Sequence, residues 1–149
     1  MTDRLRKAWR VWVKGYDKPE LFFAPTRSGV IKEFWRSTDR HVLWIDIRAI
    51  RAREHDVRLP VRHQLADAMN KEQTHCLLHS FGVTEYNPYK VGWRDYFVTS
   101  RDDPRLCALE LLGLMKPKQS ALLPDGTVCF KMTDLGKQVA LSLVPEYAP

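Results

Sequence analysis

Alternating apolar and polar residues near the N-terminus predict two strands that pair with each other. In the segment WRVWVKG, Trp9, Val11 and Val13 fall on one face of an extended chain, which is typical of a half-buried strand. The stretch YDKP after it predicts a turn. The apolar run ELFFA that follows is short enough to pair back on the first strand as a second one.

A helix and a third strand are predicted next. Thr26 or Ser28 can cap the helix, whose apolar residues recur at helical spacing: Val30, Ile31, Phe34 and Trp35. The segment VLWIDIRAIRARE alternates again and predicts a strand with these residues turned inward: Leu43, Ile45, Ile47 and Ala49. Residues 8–54 are therefore expected to form a β-β-α-β lobe, and the charged REHDVRLP is expected to connect it to a second lobe.

The second lobe is predicted to begin with a helix in two pieces, within VRHQLADAMNKEQTHCLLHSFG. The stretch VTEYNPYKVGWRDYFVTS breaks periodicity at Pro88 and Gly92, which predicts an ordered aromatic loop with an extended piece at residues 96–99. We expect a division of the chain into residues 1–58 and 59–149.

The last third of the chain carries clear start and stop signals. Asp103 can cap a helix with Pro104 at its first position, and Gly113 is placed to end that helix. Two strands, at residues 120–123 and 127–132, are predicted to meet at the turn Pro124-Asp125-Gly126. Thr133 can then cap a final helix that Pro145 ends. This helix, hairpin and helix order is typical of half of a winged-helix domain.

Two short motifs carry a family resemblance. Leu112-Gly113-Leu114 and Thr133-Asp134-Leu135-Gly136 resemble the C-terminal half of MarR-like and PadR-like winged-helix regulators, over about 35 residues. A longer match, through GWRDYFVTSRDDPRLCALELLGLM and the N-terminal RVWV, TRS and DIRAIR, resembles uncharacterised accessory proteins of bacteriophages and prophages. The resemblance implies a phage origin and says little about activity, because function depends on the site and not on the fold.

Composition and charge narrow the class. The chain of 149 residues has the apolar content of a globular protein, no apolar run near membrane length and no secretory signal, so we expect a soluble protein of the bacterial host's cytoplasm, without membrane contact. Three cysteines without CxxC spacing indicate reduced thiols. The net charge of +6 is uneven, because residues 1–62 carry a balance of +7 and residues 63–149 a balance of −1.

The basic N-terminal part suggests nucleic-acid binding, with the wing as a second contact. The candidate residues are Arg4, Arg6, Arg10, Arg48, Arg51, Arg53, Arg62, Lys116, Lys118 and Lys131. Trp9, Trp12 and Trp44 are candidates for stacking on bases; the alternative is that the tryptophans are core and the arginines a solvated face. Two carboxylates at the start of the helix at 104 argue against that helix reading a major groove.

A protein-interaction module is the competing hypothesis. The loop EYNPYKVGWRDYF is rich in residue types that anchor interfaces, and the candidate contacts to a host or virion protein are Tyr86, Tyr89, Trp93, Arg94 and Tyr96. The alternative is that these rings simply pin the loop to the core.

No motif in the sequence favours a catalytic or metal-binding role. His75 and His79 share a helical face at metal-site spacing, but a third ligand would have to come from Cys107, Cys129 or His63. No phosphate loop, nucleophile elbow or dinucleotide fingerprint is present. We therefore expect an α+β protein, with a β-β-α-β lobe packed with a winged-helix-like lobe, that is not an enzyme and uses no cofactor, metal or small-molecule substrate; the sequence leaves its oligomeric state open.

Overall fold

The computed structural model describes residues 3–16, 18–84 and 87–149. The chain divides into two compact units, Asp3–Leu59 and Pro60–Pro149. The predicted boundary, after residue 58, lies one residue earlier. The described residues form helices and three small antiparallel sheets, so the expected α+β class is confirmed.

The N-terminal unit contains the predicted β-β-α-β order with one additional strand at each end. Its elements are β1 (Arg4–Arg6), β2 (Ala8–Val13), β3 (Glu20–Phe23), α1 (Arg27–Ser37), β4 (Ile47–Arg51) and β5 (Val57–Leu59). Strands β3, β2 and β4 form one sheet in that order, while β1 pairs with β5. The predicted connection REHDVRLP therefore includes a strand, which its charged residues and its length of three residues conceal from pattern analysis.

One face of the sheet β3-β2-β4 packs on α1. Val11, Ile47 and Ala49 of the sheet meet Val30, Ile31 and Phe34 of the helix in a single buried cluster. The helix begins where expected, since the hydroxyl of Thr26 accepts a hydrogen bond from the amide of Gly29 at 3.1 Å. On the opposite face of the sheet, Leu21 and Ile50 are exposed, while Ala8 is buried.

The segment before β4 does not form the strand that its alternating apolar and polar residues predict. Leu43 and Ile45 were expected inward, but they are 68% and 77% exposed, and only Ile47 and Ala49 are buried. A 3₁₀ turn at Trp44–Asp46 takes the place of the strand. Strand β2 ends at Val13, which pairs with Ile47, so residues 43–45 have no partner strand to lie beside.

The C-terminal unit contains α2 (Lys71–Ser80), β6 (Tyr96–Ser100), α3 (Pro104–Leu111), β7 (Met115–Lys118), β8 (Thr127–Met132) and α4 (Asp134–Leu143), preceded by a 3₁₀ helix at Gln64–Ala68. The three strands form a sheet in the order β6-β8-β7. The predicted strand at 120–123 is wrong, because the first strand of the hairpin is β7. Pro117 hides it from pattern analysis, and an edge strand is where a sheet tolerates proline.

The two resemblance motifs meet each other. Gly113 ends α3 with φ of 76°, and its amide and that of Leu114 donate to the carbonyls of Glu110 and Leu109, both at 2.9 Å. Thr133 donates its hydroxyl to the Gly113 carbonyl at 2.6 Å and caps α4. A Cβ on Gly136 would overlap the carbonyl of Leu114, so only glycine lets α4 approach this turn.

Candidate nucleic-acid interface

The basic residues of the N-terminal unit do not all lie on one accessible surface. Arg6 is only 3% exposed, and its guanidinium lies 5.7 Å from the centre of the Phe23 ring. Arg4, on the same strand, pairs in register with Leu59. Burial removes Arg6 from the predicted binding set, because a phosphate cannot reach its guanidinium.

Arg51 is committed to an internal network. Its two terminal nitrogens donate to the carboxylate of Asp56 at 2.6 and 2.8 Å, and one of them also donates to the carbonyl of Ala8 at 2.7 Å. Asp56 in turn accepts from the amide of Ala8 at 2.9 Å. The hydrogen bonds from Arg51 lower the pKa of Asp56 to about 2. Arg51 therefore joins β4 to the start of β2 and is a structural residue.

Two of the predicted arginines share the exposed side of the N-terminal sheet. Arg10 and Trp12 alternate along β2 on the side opposite α1, and Arg48 lies directly across from Trp12. Arg10 forms an ion pair with Glu54 at 2.5 Å. Arg48 donates to the carbonyls of Ile45 and Ile47 at 2.6 and 3.2 Å, which keeps its charge but fixes its position.

The remaining predicted arginines lie elsewhere. Arg53 is exposed on a 3₁₀ turn. Arg62 belongs to the C-terminal unit, where it pairs with Asp67 at 3.0 Å. The predicted arginines are thus distributed over several surfaces and do not form one accessible face.

The wing lysines, in contrast, do come together. Lys116 and Lys131 are directly opposite each other on β7 and β8, and Lys118 is two residues further along β7 on the same side. Tyr96 lies across from Lys131 on β6, so its ring continues the same row. We call this surface the wing-sheet face, formed by Tyr96, Val98, Lys116, Lys118, Cys129 and Lys131.

Cations surround the tyrosine on the wing-sheet face. The guanidinium of Arg94 lies 4.6 Å and the ammonium of Lys131 lies 5.7 Å from the centre of the Tyr96 ring. Asp95 pairs with Lys131 at 3.0 Å, and this hydrogen bond raises the pKa of Lys131. No carboxylate of the described residues lies within salt-bridge distance of Lys116 or Lys118, which are both exposed.

Charged side chains at and near the N-terminal end of α3 pair with one another. Asp103 accepts hydrogen bonds from Arg105 and from Thr99, and the bonds from Arg105 hold the pKa of this carboxyl well below its usual range. Arg101 contacts both carboxylate oxygens of Glu110, at 3.0 and 3.2 Å. These groups leave α3 without a free donor row at its N-terminus of the kind that reads base edges.

Two side chains of the predicted aromatic loop, those of Trp93 and Tyr89, form hydrogen bonds with the backbone. The indole of Trp93 donates to the carbonyl of Gly82 at 2.9 Å, and a side chain on Gly82 would overlap the Trp93 ring. Tyr89 accepts a hydrogen bond from the amide of Ala148 at 3.1 Å. Among the predicted contacts, Tyr86 lies outside the described residues, Tyr96 belongs to the wing-sheet face, and Arg94 lies over the Tyr96 ring.

Sequence reasoning missed an exposed apolar turn at residues 43–45. Leu43, Trp44 and Ile45 are all exposed, on a turn that the alternating pattern assigned to a strand. Its backbone is fixed, since the Leu43 carbonyl accepts from Asp46 at 3.0 Å and the Asp46 carbonyl accepts from Lys14 at 2.7 Å. The sequence signal that should have separated these residues from β4 is the length of β2, which ends too early to pair with them.

The histidine pair acquires no further ligand. The rings of His75 and His79 stack with centroids 6.3 Å apart, and His79 also meets the edge of Phe97. Burial, with the nearby Arg94, lowers the pKa of His79. Over residues 3–16, 18–84 and 87–149, no group of three His, Cys, Asp or Glu side chains is arranged to hold a metal ion. In the same residues, no helix combines the length and the apolar character required to cross a membrane.

Comparison of the chain with protein-family models, with curated proteins and with solved structures gives no match.

Proposed function

We propose that this protein is a non-enzymatic nucleic-acid-binding factor whose phosphate contacts come from the wing-sheet face. The resemblance to phage-encoded accessory proteins suggests that it acts in the cytoplasm of a bacterial host. The proposal narrows the binding set to three lysines together with Arg94 and Tyr96, and it leaves out the arginines that are buried or paired within the N-terminal unit.

The observation that carries the proposal is the direct juxtaposition of Lys116 and Lys131. Like charges opposite each other on neighbouring strands are unfavourable for a sheet. Asp95 relieves the charge of Lys131, but Lys116 and Lys118 point to solvent from the same side of β7. On this edge strand the Cα atoms of Lys116 and Lys118 are about 7 Å apart, so two ammonium groups extend from one face, which suits an anionic backbone.

The expected binding is insensitive to base sequence. Lysine contacts phosphate as a point charge, and such contacts supply affinity without information about sequence. Base reading by α3 is not part of the proposal, because Asp103 and Glu110 hold the nearby guanidinium groups of Arg105 and Arg101.

Fluorescence anisotropy with labelled DNA tests the proposal. The variant Lys116→Ala/Lys118→Ala removes two phosphate contacts, so its dissociation constant at about 50 mM salt should rise roughly 10-fold or more on any sequence. The control variant Lys71→Ala/Lys90→Ala loses the same charge from exposed positions of the same unit, away from the sheet. Equal affinities for the two double variants would contradict the proposed surface.

A second candidate function, protein docking, is favoured by the exposed turn at residues 43–45. Two aliphatic side chains more than two-thirds exposed on a fixed backbone are preorganised to enter an apolar pocket of a partner. Affinity purification from the bacterial host, with nuclease present, should then retain partners on the wild-type protein and lose them on Leu43→Ser/Ile45→Ser. Partners that disappear with nuclease alone would favour nucleic-acid binding instead.

A further inference from the structure

The side of the N-terminal sheet opposite α1 is an exposed surface of mixed aromatic, apolar and basic residues. We call it the open sheet face, formed by Arg10, Trp12, Leu21, Arg48 and Ile50. Strand register places them together, since Arg10 lies between Leu21 on β3 and Ile50 on β4, and Trp12 lies beside Arg48. Leu21 and Ile50 are 44% and 51% exposed, and α1 covers only the other side of this sheet.

The charges of the open sheet face are predominantly positive. Arg10 is paired with Glu54, and Arg48 donates to the backbone carbonyls of Ile45 and Ile47. Lys14 is exposed just after β2, and the hydrogen bond from its amide to the Asp46 carbonyl continues the sheet. Because Arg10 is paired with Glu54, Lys14 and Arg48 supply the positive charge of this surface, which suits an anion, and the tryptophan beside them suits a ligand that also has flat rings.

A cleft of about 440 Å³ lies beside Trp12 at the end of the sheet, and Val13 and Phe34 of the α1-facing side also line it. Trp12, Tyr16 and Lys18 contribute to its lining, together with Glu20. Tyr16 is exposed, so two aromatic rings and an ammonium group are accessible within a few residues of each other at the turn between β2 and β3. A volume of this size accommodates a small planar ligand.

We propose that the open sheet face binds unpaired nucleotides of a single-stranded nucleic acid, with Trp12 as the stacking platform and Lys14 and Arg48 as backbone contacts. This inference rests on the proposed nucleic-acid-binding function and adds the strand class and a second surface to it. A single strand is the occupant that fits, because its bases present flat faces to a stacking ring. A duplex keeps those faces stacked inside and offers a flat sheet only its phosphates.

Two labelled probes separate the contributions of the two faces. The first is an oligo-dT strand of about 15 nucleotides, and the second is a hairpin duplex with the same number of phosphates. Wild-type protein should bind the single strand more tightly. Trp12→Ala should weaken single-strand binding by about 5-fold to 100-fold, the range for loss of one stacked base, and should leave duplex binding unchanged. Trp12→Phe should retain most of the affinity.

The control is His41→Ala, which removes an exposed aromatic side chain of the same unit from outside the open sheet face. It should leave the affinity for both probes unchanged. If Trp12→Ala unfolds the unit, the variant Ile50→Glu tests the inference instead. It places a negative charge at an exposed position in the middle of the open sheet face, so it should weaken binding of the single strand and not of the duplex.

The outcomes distinguish this inference from the proposed function. Wild-type protein that binds neither probe would contradict both. If Lys116→Ala/Lys118→Ala weakens both probes while Trp12→Ala and Ile50→Glu weaken neither, the proposed function stands and the inference about the open sheet face is wrong. Self-association of the wild-type protein that Ile50→Glu abolishes, without single-strand binding, would assign the face to a second copy of the chain and overturn the inference.

Discussion

Arg51 illustrates why a charged residue cannot be assigned to a binding surface from sequence alone. Like Arg48, it stands between an isoleucine and an alanine in the sequence, yet its guanidinium donates to Asp56 and to the carbonyl of Ala8. The partner at Ala8 is 43 residues away, so no local pattern reveals it. Arg53, two residues later, is exposed.

The first prediction concerns the stability that this network provides. Arg51→Met should lower the free energy of unfolding of the N-terminal unit by about 2 kcal/mol, since Asp56 then loses charged hydrogen bonds. The matched variant Arg53→Met, at an exposed position, should change it little. Urea denaturation at neutral pH measures both, and equal stabilities would contradict the assigned role of Arg51.

The same network predicts a pH dependence with a definite sign. The pKa of Asp56 is about 2 in the folded protein and about 4 in an unfolded chain. A lowered pKa stabilises the fold above pH 4, and this contribution is lost as the pH falls from about 4 to 2. Over that range Arg51→Met should lose less stability than the wild type. A parallel loss in the two proteins would contradict the coupling.

At the scale of elements, helix caps were predicted more reliably than strands. Thr26, Asp103 and Thr133 cap helices as expected, because capping depends on residues within one turn of the helix. Strand β7 and the turn at 43–45 were mispredicted because strand formation depends on a partner from elsewhere in the chain. The β-β-α-β order was predicted, but β1 and β5 were not.

The third prediction tests the turn at residues 43–45. Leu43→Ser/Ile45→Ser should leave the melting temperature nearly unchanged, because both side chains are already exposed to water in the folded protein. If they were buried, as the alternation suggested, the double replacement would cost several kcal/mol, on the order of 2 or more for each side chain. Thermal unfolding followed by circular dichroism distinguishes the two cases, and the core variant Ile47→Ser is the positive control.

At the scale of the whole molecule, net charge and available charge differ. The excess of positive charge lies in residues 1–62, but there Arg6 is buried and the guanidinium groups of Arg10 and Arg51 are paired with carboxylates. The C-terminal part is close to neutral overall, yet it presents lysines side by side on the wing-sheet face. The sequence gives the positions of the basic residues but does not reveal which carboxylates pair with them in the fold. Several candidate residues could therefore be identified, but not the surface on which they lie together.

The salt dependence of nucleic-acid binding tests the central claim most directly. Each phosphate contact contributes about −0.7 to −0.9 to the slope of log affinity against log salt concentration. We expect a steep negative slope for the wild-type protein and a slope shallower by about 1.5 for Lys116→Ala/Lys118→Ala. A flat response of the wild type, or identical slopes for the two proteins, would contradict binding of phosphates by the wing-sheet face.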